Sequence, residues 1–135
     1  MARGYVWFFQ NRPGPAIEAF ERAVRLSPLD PLGYLFSSGV AFAHFGAGRY
    51  EEAIDWADRS LRELPRYAAS VRIKLVLCGL LGRVREARDC LARMLELQPG
   101  LTIRRVKEYA ALARFPLELL PAYLEGLRTA GLPEE

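Results

Sequence analysis

GRYEEAIDWADRSLRELP, residues 48–65, decides how this chain folds, because the chain writes it again. Residues 82–99 read GRVREARDCLARMLELQP, and residues 12–28 read RPGPAIEAFERAVRLSP. The three stretches align on their closing prolines, Pro28, Pro65 and Pro99. Twelve positions before each proline stands an alanine: Ala16, Ala53 and Ala87. Eight before it stand Phe20, Ala57 and Leu91, and five before it Ala23, Ser60 and Met94. These positions fall on one stripe of a helix. The small residue heading the stripe lets a neighbouring helix approach closely. Gly48 and Gly82, each followed by arginine, open the second and third copies. A glycine there ends the helix before it, and the proline stops the helix after it.

Each stretch is therefore the second helix of a pair. The first helices are expected over roughly 31–45, PLGYLFSSGVAFAHF, and roughly 68–80, AASVRIKLVLCGL. GYVWFFQ, near the start, reads as a shortened earliest one. A period near 34 with two helices per unit specifies a helical solenoid. Copies one and two are 37 apart, so three extra residues fall at DPLGY or at the FGAG turn. A shift of three turns a helix face by only about 60°. Copy one replaces the turn glycine with NRPGP, which also reads as a turn.

After Pro99 the repeat stops. LTIRRVKEYAALARF predicts one helix with Thr102 as its N-cap. Pro116 breaks the chain. ELLPAYLEGLRTAGLPEE predicts a last helix over about 117–130, closed by Gly131 and Pro133. Residues 102–130 are expected to cover the end of the stack, as solenoids require.

The small–aromatic–small–proline pattern with a preceding glycine resembles the tetratricopeptide repeat family over about residues 4–99. The resemblance implies an all-α, helical-hairpin repeat solenoid of about three repeats, the first truncated, with C-terminal capping helices. The expected division of a single domain is a partial repeat at 1–30, repeats at 31–66 and 67–100, and capping helices at 101–135. A narrower likeness runs through SPLDPLGYLFSSGVAFAHFGAGRYEEAIDWA and YLEGLRTAGLPEE. These are similar to the C-terminal repeat region of certain bacterial class III adenylate/guanylate cyclases. That likeness implies a regulatory or docking part of such a protein, or a stand-alone relative, without the catalytic domain.

In tetratricopeptide folds the first helix of each pair lines a concave groove. By that resemblance the candidate groove residues are Tyr5 and Phe8, then Leu35, Ser38, Phe42 and Phe45, then Ala69, Arg72 and Val76. The implied activity is to hold a peptide or helix segment, anchored on aromatics, with Arg72 clamping a carboxylate. YVWFF near the start also suggests self-association into a homodimer, as an alternative.

Other chemistries find little support. The formal net charge of +3 is uneven: residues 1–67 balance, while residues 72–107 carry nine basic against three acidic side chains. Without interleaved aromatics that stretch reads as a solvated helix surface, not a nucleic-acid site. No apolar run reaches the roughly 18–20 residues that span a bilayer. The N-terminus lacks the cleavage pattern of a signal peptide. Cys78 and Cys90 have neither metal nor redox spacing, which suggests a reducing, cytoplasmic setting. His44, the one histidine, has no ligand or base partner at motif spacing and reads as a packing residue. Cys90 has arginines nearby but no accompanying base. Glu51, Glu52, Asp55 and Asp58 read as a solvated face, with Asp55–Arg59 and Asp58–Arg62 as pairs four apart. GAG at 46–48 is a turn without the lysine of a phosphate loop. The expectation is a non-enzyme with no cofactor and no metal, whose partner is another protein or peptide, with no membrane.

Overall fold

Glycine and proline divide the helices where the sequence pattern placed them. The computed structural model describes residues 33–135, together with 18, 19, 21, 22, 25 and 26, which are helical. Tyr5, Phe8, the N-terminal aromatics and most of the first copy lie outside the described residues. The described helices are α1 (Gly33–Gly46), α2 (Tyr50–Glu63), α3 (Ala68–Leu81), α4 (Val84–Leu97), α5 (Ile103–Leu112) and α6 (Leu120–Thr129). Among the described residues there is no strand. The fold is an all-α solenoid of helical hairpins.

α1 and α3 stop in the same way. The Gly48 N–H donates to Phe45 O and the Arg49 N–H to His44 O; the Gly82 N–H donates to Gly79 O and the Arg83 N–H to Cys78 O. Both glycines sit at positive φ, +77° and +72°. That left-handed turn is the reason for glycine there. α2 and α4 instead run into Leu64–Pro65 and Gln98–Pro99. α1 to α4 are each 14 residues long. The Gly48 and Gly82 turns match bond for bond, so the FGAG turn does not hold the three extra residues.

α1 packs on α2, α2 on α3 and α3 on α4, with α1 beside α3. The inner helices α1 and α3 are buried along most of their length, from Ser37 to Ala41 and from Ile73 through Gly79 with little interruption. α2 and α4 bury one stripe each: Ala53, Ile54, Ala57 and Ser60, then Ala87, Cys90 and Met94. Ala53, Ala57, Ser60, Ala87 and Met94 are positions that the proline alignment singled out; Ile54 and Cys90 join the stripes, and Leu91, the remaining aligned position, is only half-buried. Met94 is fully buried, which stabilises the fold by about 1.5–3 kcal/mol. Ser60 in the equivalent place uses its hydroxyl instead. It donates to Tyr34 O at 2.8 Å and lies 2.8 Å from the Ser70 hydroxyl, tying α2 to both inner helices.

The charged face of α2 differs from expectation. Asp58 reaches across to Lys74 on α3 at 2.6 Å instead of pairing with Arg62. Arg59 lies over the Trp56 ring, 5.1 Å from its centroid, instead of on Asp55. Glu51 pairs with Arg83 in the next turn. Partners on a packed neighbour hold fewer free rotamers than partners on the same exposed face, so the cross-helix pairs win.

Beyond α4 the order of contacts changes. α6, not α5, packs on α3. The contact is backbone on backbone: a Cβ on Gly79 would run into the Gly126 carbonyl oxygen, and one on Gly126 into the Val76 carbonyl oxygen. Of the six helices only α6 has its backbone near α5. The start of α5 is held from outside. Thr102 Oγ1 accepts from the Arg105 N–H at 3.2 Å, as its N-cap role requires. The Ile103 and Arg104 N–H groups donate to Pro133 O and Glu134 O, at 2.9 and 3.1 Å. The end of α5 makes a left-handed stop without glycine: Arg114 has φ +56°, with the Phe115 N–H on Ala110 O.

Candidate functional site

α1, α3 and α6 present one common face, and a cavity of about 430 Å³ opens on it. Its floor comes from Leu35 and Phe42 on α1, Tyr67 just before α3, Ala69 and Arg72 on α3, and Tyr123 on α6. Val106, Tyr109 and Ala110 on α5, with Ala113 and Phe115 after it, form the opposite wall. α5 therefore turns an open face into a partly enclosed one.

Among the described residues Arg72 is the only charged one in that lining. Its Nε donates to the Tyr123 hydroxyl at 3.0 Å, which fixes the plane of the guanidinium. None of the ion pairs among the described residues involves Arg72. Tyr123 is itself held: its ring lies 4.9 Å from Phe115 and 5.8 Å, edge-on, from Phe45. The arrangement is an aromatic socket with one oriented cation, suited to an apolar group that carries a carboxylate.

Of the sequence-predicted residues, Leu35, Phe42, Ala69 and Arg72 are brought together in this lining. Ser38, Phe45 and Val76 are buried in the core and do not line it. Leu35 and Phe42 are seven apart and share a face, whereas Ser38 and Phe45 are turned from it by about 60–80°. Val76 shares a face with Ala69, but α6 docks on its carbonyl and side chain. The sequence reading missed Tyr67, Tyr123 and the α5 wall. Gly126 was a usable signal for Tyr123: a glycine mid-helix marks a close backbone approach, and Tyr123 lies one turn before it.

His44 and the two cysteines lie outside this cavity. His44 is buried, with Glu21 at 3.9 Å and Glu52 at 4.0 Å. Burial lowers its pKa, against the pull of Glu52 and then Glu21. Cys78 and Cys90 are both buried and free, on the paired helices α3 and α4. The neighbouring Cys90 thiol and burial push Cys78 far up, while Cys90 is lowered by Cys78, against its own burial, and by Lys74. Among the described residues no group of three His, Cys, Asp or Glu side chains is placed to hold a metal ion, and no helix is long and apolar enough to cross a membrane.

A family model described as a tetratricopeptide repeat matches residues 1–68, half of the chain. No curated protein matches it.

Proposed function

Because the chain belongs to the tetratricopeptide repeat family, whose repeats are generally protein-interaction modules, we propose that it is a non-catalytic scaffold. It holds a peptide or helix segment on the face shared by α1, α3 and α6. The observation that carries this reading is the oriented guanidinium of Arg72 among aromatic side chains. An apolar side chain of the partner fills the socket, and a carboxylate beside it pairs with Arg72. The likeness of residues 27–57 and 123–135 to cyclase C-terminal regions supports a regulatory role inside a signalling protein of that kind. Two free thiols support a cytoplasmic setting.

Selection from a displayed random-peptide library, with Arg72→Glu as the counter-target, tests the reading. The expected winners combine an apolar anchor with an acidic group and lose about tenfold or more in affinity on the charge-reversed variant. Winners that bind both forms equally would overturn the Arg72 assignment.

A further inference from the structure

We propose that the cavity beneath α5 is also a site for a small amphipathic carboxylate, a single-chain carboxylic acid whose head pairs with Arg72 and whose tail lies among the aromatic rings. This goes beyond the protein-binding reading and does not depend on it.

Three observations carry the inference. The first is enclosure. α5 and Ala113–Phe115 wall one side of the cavity, leaving a partly enclosed space of a size for a short acid as well as for a single side chain of a partner. The volume of about 430 Å³ falls within the range of about 300–1,000 Å³ typical of small-molecule sites. The second is chemistry. Among the described residues the lining is apolar and aromatic except for the guanidinium of Arg72 and the tyrosine hydroxyls. A half-buried cation with no carboxylate partner among the described residues favours an anion, and its surroundings favour one with an apolar body. The third is orientation. Tyr123 accepts from Nε, so the terminal nitrogens of the guanidinium keep their donors for an incoming head group.

The test varies the head group at constant chain length. Decanoate, decanol and decylamine, each below its aggregation concentration, are titrated calorimetrically into the full chain. Decanoate is expected to bind about tenfold or more tighter than decanol, with decylamine weakest. Arg72→Gln is expected to bring decanoate down to decanol without abolishing decanol binding. Ala110→Phe fills the cavity and is expected to abolish binding of both, with helical content checked by circular dichroism. If that variant does not fold, Ala69→Leu asks the same question from the opposite wall. Equal binding of all three probes, no binding of decanoate, or a head-group preference that survives Arg72→Gln would overturn the proposal. Peptides that depend on Arg72 with no decanoate binding would overturn it and leave the protein-binding reading standing.

Discussion

The two hairpins α1–α2 and α3–α4 and the tail pair α5–α6 are built from similar amounts of helix and joined by opposite logic. In the hairpins, helices next to each other in sequence pack on each other, and a left-handed glycine makes the turn. In the tail, α6 bypasses α5 and takes the position beside α3 that the first helix of another repeat would occupy. α5 is left across the mouth of the cavity. It buries Ile103, Val106 and Ala110, while Leu112 is 84% exposed and Tyr109 48%. The difference teaches that covering the end of the stack needs one close-packed helix. A second helix, freed from that duty, can wall the cavity.

Breaking the α3–α6 contact has the largest expected effect. Gly126→Ala forces the two backbones apart and is expected to cost about 3 kcal/mol in urea unfolding, the upper end for overpacking. Amide exchange then rises in α6 and α3 first, while α1 and α2 keep their protection. Uniform loss of protection would mean that hairpins and tail form one cooperative unit.

A smaller, opposite change sharpens the comparison at the end of α5. Arg114 holds a left-handed φ of +56° where α1, α3 and α6 rely on glycine. Arg114→Gly is expected to stabilise the tail by about 0.5–1 kcal/mol, read as slower amide exchange in α5. An unchanged rate would show that contacts at the start of the helix, not its stop, limit its opening.

The smallest effect separates the regions by pH. His44 belongs to the hairpins, and burial depresses its folded pKa. As pH falls through about 6.5 the unfolded chain takes up this proton and the folded chain does not, so stability declines below that pH and is flat above it. The melting temperature is therefore expected to fall between pH 7.5 and 5.5 more steeply for the natural chain than for His44→Gln. Parallel curves would place the pH sensitivity elsewhere.

The hairpins were legible because their punctuation is local. Gly48, Gly82, Pro65 and Pro99 act through backbone conformation and need no knowledge of distant residues. The stripe of Ala53, Ala57 and Ser60 repeats at helical spacing for the same reason. The cavity face was legible only where one helix sets it. Leu35 and Phe42 follow from the periodicity of α1, while Val76 was lost because a helix 50 residues further on covers it. The α5 wall was illegible for a related reason. Val106, Tyr109 and Ala110 read as a serviceable capping stripe, and only the Gly79–Gly126 contact decides that α6 takes that place. The charge pairs of α2 failed likewise: Asp58 found Lys74 through packing that i, i+4 counting does not see.

The glycine-on-glycine contact also bears on the cavity. Arg72 precedes Gly79 by two turns on the same face of α3, and Tyr123 precedes Gly126 by one turn on α6. Gly79 and Gly126 bring no side chain of their own to this contact, and the Val76 side chain closes it, so α3 and α6 are held at close range. That approach sets the distance between the backbones that carry Arg72 and Tyr123, and the Nε–hydroxyl bond sets how their side chains meet. At the mouth, the start of α5 hangs from the carbonyls of Pro133 and Glu134 through the Ile103 and Arg104 N–H groups, so the C-terminal residues help to place the cavity wall.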